Sequence, residues 1–490
     1  MPPKGVTLAE RAVWAAFSRG DWVDLHQGHP GADDPGEAQA WGPQCLVRAE
    51  IIESLLLGAL APGPGVVAAL RLRGARISGR LDVAGSQVRA AVYFTGCRFD
   101  EPPDFAGATT RTISLTSCDL DGFSGRLLRV DGDLHFDASH IHGCVMLRHS
   151  NVSGSIHLSS CELRNPGQIA LSGGGLTVEG GMFGRDGLLV QGGIRLIGAR
   201  IIGGVFLEGA HLSSPGRVAL CLDQVTAPTV LCTNGFTTDG EVQLRDADIR
   251  GPVSFEKAIF SSSSTALQCQ GMRAGELRLT PRTINGSADL ELAQVKILRD
   301  KAAAWPAQLQ LDGLTYEHLN TVEGQDDVTN RLAWLQRDDG QYRPQPYEQL
   351  AAFYRRIGHD HDARRVLLAK QRARRTTLRA HTKAWAYLLD ATVGHGYRPW
   401  LAGIWLLVLL GVGTAVFAVN QPRPLNPGHD PHFNPFIYTL DLLVPIGPFG
   451  LRNTYSPPGL GQWLAYTLII AGWILATAVI AGISRVLRRD

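Results

Sequence analysis

Histidine crowds one stretch of the chain, with His135, His140, His142, His149 and His157 all falling within residues 135–157. Two of them share a setting. His135 stands between Leu134 and Phe136, His157 stands between Ile156 and Leu158, and they are 22 residues apart. Apolar side chains at alternating positions mark a strand that buries one face, so both imidazoles point outward. If the chain returns on itself every 22 residues, the two rings stand in one column on adjacent coils. They are then close enough to share a transition metal at about 2.0–2.1 Å per nitrogen. Two ligands are too few for a closed site, and a solvated histidine ladder is the competing reading.

The other reactive side chains carry less. His359 and His361 in "HDHD" (359–362) are two apart and do not share a helix face, so the segment reads as a capping turn. Asp131-x-Asp133 lacks the further oxygens and the glycine of a calcium loop. The dinucleotide, P-loop, zincin and nucleophile-elbow signatures are missing. "SGGGLTVEGG" (172–181) is glycine-rich, but no helix follows to offer its N-terminus to a phosphate. The 8 cysteines form no CxxC pair and no zinc spacing. Cys97, Cys118 and Cys161 sit where other copies of a repeat carry alanine or serine, so they read as small inward residues in a reducing compartment. We expect no catalytic residues and no cofactor.

What positions these side chains is a repeat. Residues 75–97, "ARISGRLDVAGSQVRAAVYFTGC", hold one 11-residue pattern twice, and it recurs at 139–149, 150–160, 199–209 and 247–257. The unit is [A/S/C]-x-[I/V/L]-x-G-x-[L/V/I]-x-[L/V/F]-x-x. Fixed self-similarity of this kind means a solenoid. The period of two around Leu81/Val83 and Val92/Phe94 argues for strands, and the glycine at the fifth position marks a corner. Two units close one four-sided coil, and stacked coils form parallel ladders about 4.8 Å apart. Residues 66–320 then make on the order of eleven coils, with right-handed winding expected.

The half-units "ARISG", "SHIHG" and "ADIRG" resemble the A-(D/N)-L-x-x motif of pentapeptide-repeat proteins. The resemblance implies a right-handed quadrilateral β-helix. This chain departs from the motif in that every second segment has six residues. Bacterial membrane proteins of similar appearance, some described as oxidoreductases, have no settled function. Some pentapeptide-repeat proteins mimic DNA, which takes an acidic rod. Residues 70–300 carry 23 basic and 23 acidic side chains, which speaks against that role and against nucleic acid as a partner.

Helical segments flank the solenoid. Residues 1–65 read as an N-terminal cap, with a Thr7-x-x-Glu10 capping box before "LAERAVWAAF" and a second helix over "CLVRAEIIESLLLG" (45–58). Within 321–395, "VTNRLAWLQRDDG" is amphipathic, and 347–375 resembles one tetratricopeptide-style hairpin turning at Gly358. There Leu350, Phe353, Tyr354 and Ile357 would face Ala363, Val366 and Leu367. A further helix over 378–394 would lie next to the membrane.

Residues 396–490 read as a two-helix hairpin, with uncharged spans at 400–419 and 463–483. Segment 364–398 carries nine Arg and Lys, including Arg375, Arg379, Lys383 and Arg398, and Arg485, Arg488 and Arg489 follow the second span. The loop 420–462 carries only Arg423 and Arg452. The positive-inside rule puts both termini in the cytoplasm of a cell-membrane protein, and no signal peptide is read at the start. "FNPFIYTLDLLVPIGPFG" (433–450) is a candidate re-entrant loop, its notable residues being Asp441, Gly447, Phe449 and Gly450. It resembles the filter-bearing loop of a two-span cation channel.

The expected protein is a mainly β, membrane-anchored, non-catalytic scaffold that displays a cytoplasmic β-helix to a protein partner. Two alternatives stand beside it. One is a pore or gate built by a homo-oligomer of the hairpins, and the other is a membrane-associated oxidoreductase.

Overall fold

The structure is a computed structural model that describes residues 5–26, 34–61, 63, 65–301, 304–322, 327–337, 342–374, 400–425, 433–444 and 449–487. The chain divides into two compact units, Met1–Gln349 and Leu350–Asp490.

The first unit is a parallel β-solenoid of about 11 turns. One coil runs through four short strands, Arg129–Val130, Leu134–His135, His140–His142 and Val145–Met146. The next coil pairs with it in parallel register, Leu134 with Ile156 and Ile141 with Leu163. Stacking gathers the strands into one 19-stranded and one 14-stranded sheet. The 11-residue pattern reports burial faithfully: Ala75, Ile77, Leu81, Val83, Val88, Val92 and Phe94 are all buried. Burying one such side chain is worth about 1.5–3 kcal/mol, and this column repeats in every coil.

Coil length is less regular than a strict repeat. The step is 22 residues from Leu134 to Ile156, 26 from Ile156 to Met182 and 21 from Leu277 to Leu298. The extra residues enter within Glu162–Ser172 and His211–Cys221, where the ladder shifts register between Arg164 and Ile169 and between Ser213 and Val218.

The corner expected at the repeat's glycine is present in part: Gly79 (φ +81°) and Gly143 (φ +119°) take positive φ, whereas Gly154, Gly203 and Gly251 do not. A second left-handed residue is the last of each unit: Gly85, Gly96, Ser117, Ala138, His149 and Ser160, each just before the small inward residue. Bonds such as Ser86 N–H to Val83 O and Ser139 N–H to Phe136 O close four-residue turns whose third residue has positive φ, the signature of a type II turn. At the fifth position Gly154 has ordinary φ, but a Cβ there would lie 2.7 Å from the backbone of Gly132 on the coil before. Gly180 and Gly203 make equally close approaches to the coils before them. At these three positions the glycine is needed for space between coils.

The small inward residues also have a polar task. Ser139 and Ser150 donate their hydroxyls to Leu115 O (2.6 Å) and Gly125 O (2.5 Å) on the preceding coil, and the Cys97 and Cys118 thiols make longer contacts of the same kind. All 8 cysteines are free. Burial pushes the Cys118, Cys161, Cys232 and Cys269 thiols up, away from the reactive thiolate.

The N-terminal cap holds the expected capping box at Leu8–Phe17: Glu10 N–H donates to Thr7 Oγ1 (3.2 Å), and Thr7 N–H donates to the Glu10 carboxylate (2.8 Å). The second helix starts later than expected, at Ala49. Leu46–Arg48 is a strand paired with Arg76–Ser78, and Val23–Asp24 pairs with Leu72–Arg73. The cap therefore supplies strands as well as helices, because the first coil offers open N–H and C=O groups that only a strand can satisfy. Glu10 ties the two parts together through bonds from the Arg48 guanidinium (2.7 and 2.9 Å). That pairing and the surrounding hydrogen bonds pull the Glu10 carboxyl down to about 2.

At the far end Asp300 occupies the register position held by Leu279 one coil earlier. It is fully buried and ion-paired with Arg331 from the helix Val328–Leu335, and it accepts the Trp305 indole N–H at 2.7 Å. Trp305, Tyr316 and Trp334 pack around the pair. This short helix, read from the sequence with the later hairpin, belongs to the first unit.

In the second unit the helices Pro344–Arg356, which begins just before the boundary, and Asp360–Arg374 meet at Gly358, whose φ is +82°. Leu350, Phe353, Tyr354, Ala363, Val366 and Leu367 are buried as expected. Ile357 is a correction: it lies just past the helix end and is exposed. The expected helix at 378–394, the basic residues Arg375, Arg379, Lys383, Arg398, Arg488 and Arg489, and Gly447 lie outside the described residues.

Three apolar helices complete this unit, Trp400–Val419, Pro435–Leu443 and Leu460–Leu487. Among the described residues one stretch, Leu460–Thr477, is long and apolar enough to cross a membrane, and Gly403–Val419 is a shorter apolar helix. Phe417, Tyr438, Leu442, Leu443, Tyr455 and Leu468 form the core between them. The backbones come close at glycine: a Cβ on Gly472 would lie 2.1 Å from Leu443 O.

Candidate metal centre on the histidine column

His135 and His157 are register partners on adjacent coils, as their spacing implies. Their rings stack at 4.4 Å between centroids with 12° between planes. The stack runs on through Phe183 and Phe206 at 5.3 and 5.1 Å, and the Arg185 guanidinium lies over both phenyl rings. The column is therefore an aromatic ladder whose first two rungs are imidazoles.

Two carboxylates flank it. Asp133 accepts Ser155 N–H through Oδ1 (2.7 Å) and turns Oδ2 towards His135 Nε2 (3.8 Å). Asp137 accepts Ser159 N–H through Oδ1 (2.9 Å) and places Oδ2 3.3 Å from His135 Nδ1. Each carboxylate is thus anchored to the next coil by one oxygen and presents the other to the imidazole. Burial opposes the Asp137 charge, but the bonds from His135 and Ser159 outweigh it and hold that carboxyl below its usual range. Burial, then the neighbouring His135, lowers the His157 imidazole, which favours its neutral, metal-ligating form.

Asp133, His135 and His157 offer ligand atoms within 4.8 Å of one another, enough for one ion. Two imidazoles and a carboxylate suit zinc, copper or nickel. Parallel rings aim their lone pairs the same way, so a shared ion requires one ring to rotate. The sequence reading found both histidines and weighed Asp133 only for a calcium loop. The signal was present: Asp133, His135 and Asp137 are alternate residues of one extended segment and share a face.

The remaining histidines are placed elsewhere. His142 Nε2 sits 3.6 Å from Asp119, and His140 and Glu162 are register partners. His149 occupies a left-handed corner. The His359 carbonyl accepts Ala363 N–H at the hairpin turn, and His359 and His361 each turn Nδ1 towards the Asp362 carboxylate, at 3.6 and 3.8 Å.

In the apolar unit, Asp441 is fully buried and accepts Phe449 N–H (3.0 Å) and Arg452 N–H (2.9 Å), one on each carboxylate oxygen. Phe449 is exposed, and Gly450 takes φ +70° to start a short 3-10 turn at Leu451–Asn453. Asp441 therefore clasps the end of the loop. Comparison of the chain with protein-family models, curated proteins and solved structures returns no match.

Proposed function

We propose that this protein is a non-catalytic membrane-anchored scaffold, whose β-solenoid presents its outer face to a protein partner in the cytoplasm and whose C-terminal helices form a two-span anchor. The observation that carries the anchor is the exposure of large apolar side chains on both long helices. Ile404, Trp405, Leu407, Val408 and Val412 on one, and Leu460, Trp463, Ile470, Trp473 and Ile474 on the other, are exposed. Continuous apolar surface of this size is unfavourable in water and satisfied by lipid. Trp463 and Tyr466 suit an interfacial position. The close approaches at Gly413 and Gly472 are the small-residue contacts by which helices associate in a bilayer.

Display is supported by the solenoid itself, whose inward positions are occupied by its own core while rigid strands carry polar side chains outward. The pore alternative loses its candidate lining group, because both Asp441 oxygens are engaged by backbone N–H groups. The oxidoreductase alternative rests on the resemblance alone.

Topology tests the anchor. The full chain, expressed in bacterial cells, should stay in the membrane after carbonate washing at high pH. A cysteine placed at residue 428 should react with an impermeant maleimide from outside, and one at residue 4 only after permeabilisation. A photo-crosslinker at exposed Arg200 should yield a discrete protein adduct. Release by carbonate refutes the anchor, and absence of any adduct from several outward positions refutes display.

A further inference from the structure

A cavity of about 620 Å³ opens between the N-terminal cap and the first coils of the solenoid. Its floor and overhang are apolar: Leu55 and Leu56 are buried, while Leu57 and Val67 line it yet remain more than half exposed. The helix Ala49–Leu56 creates the overhang by its ending. Leu57 N–H bonds to Glu53 O, Gly58 takes φ +95°, and Leu57 is left projecting.

One wall is of a different kind. Arg89 and Arg111 both line the cavity, each two residues beyond the bridged pair Gln87 and Thr109 on adjacent coils. Both side chains are exposed, and neither makes an ion pair among the described residues. Two like charges that line one cavity repel. A shared anion removes that repulsion, and a carboxylate matches the guanidinium fork.

From this juxtaposition we propose that the cavity binds a free fatty acid, its acyl chain laid against Leu55, Leu56, Leu57 and Val67 and its carboxylate held by Arg89 and Arg111. An apolar pocket of a few hundred Å³ with a few convergent polar groups is the usual form of a small-molecule site. The volume suits one acyl chain. The proposal stands apart from the membrane anchor, because every residue it uses belongs to the first unit.

The test uses the full chain in lipid nanodiscs, with palmitic acid carrying a mid-chain diazirine as probe. After irradiation, adducts should map to peptides covering residues 55–68 and 87–111. The double variant Arg89→Gln, Arg111→Gln should lower that labelling at least tenfold with an unchanged circular dichroism spectrum. Leu57→Glu, a change at an exposed position, should lower it as well. Excess unlabelled palmitate should displace the probe, and the corresponding diazirine alcohol should leave these peptides unlabelled. Adducts confined to residues 400–487, or equal labelling by the alcohol and in the double variant, overturn the site. Displacement by lysophosphatidate but not by palmitate overturns the carboxylate assignment.

Discussion

Asp300 and Arg331 close the solenoid with a charge pair whose side chains are 0% and 5% exposed. Such a pair is held by its partner: removing one member leaves a buried charge unmatched and costs about 3–5 kcal/mol. Asp300→Asn retains the shape and an acceptor for Trp305 but removes the carboxylate that faces the buried Arg331 guanidinium, so a penalty of this order is expected. A solenoid couples each coil mainly to its neighbours, so the loss should fall on the last coils and fade towards the first. Amide exchange reads this directly, because its rate follows the local opening equilibrium. In the full chain, peptides covering 294–300 and 315–321 should exchange about 150- to 5,000-fold faster in Asp300→Asn, while 129–157 stays unchanged. Asp300→Leu combined with Arg331→Met should restore most of the protection, because the register neighbour Leu279 shows that an apolar side chain fits this column. Unchanged exchange in the single variant, or acceleration spread evenly to residues 129–157, would refute both the energetic role of the pair and the nearest-neighbour description.

Glu10 offers a second test through pH. Its folded carboxyl lies at about 2 against an ordinary 4.5, so its contribution is fully present above 4.5 and is lost as pH falls through 2. With Arg48 partly in water, that contribution is about 2 kcal/mol, and the thermal midpoints of wild type and Glu10→Gln should differ at pH 6 and converge near pH 2. The two glycine roles separate by substitution. Gly154→Ala, which forces a Cβ into the preceding coil, should cost about 1–3 kcal/mol, whereas Gly79→Ala, with open space around it but φ +81°, should cost about 1 kcal/mol, both read from thermal unfolding. On the histidine column, zinc should bind with one equivalent per chain and release protons on binding, as calorimetry in two buffers can measure. His157→Phe, which extends the Phe183 stack, should abolish that binding without lowering the thermal midpoint; retained binding would remove Asp133, His135 and His157 as the ligand set.

The repeat was readable because burial alternates with period two and recurs, and each of Ile77, Leu81, Val83, Val92 and Phe94 points where that rule places it. The capping box was readable because Thr7 and Glu10 act within one helical turn. Leu46–Arg48 was not, because its apolar pattern suits a helix as well as a strand, and the open edge of the first coil decides between them. Asp300 was hidden for a related reason: nothing local distinguishes a solvated aspartate from one whose partner lies 31 residues on. At the histidine site the column was legible from a 22-residue step, while Asp133 was passed over because the motif sought there belonged to a different metal.

The lengthened coils all spend their surplus in the same sheet. Thr177 to Met182 and Arg200 to Val205 each keep the five-residue interval of Arg129 to Leu134, whereas Glu162–Ser172 and His211–Cys221 absorb the added residues. One wall of the tower thus holds its interval to four or five residues, as from Thr226 to Val230 or Arg200 to Val205, while the other wall grows balconies. A partner that reads the steadier side meets nearly even spacing, and new contacts can be written on the other side without re-engineering the stack.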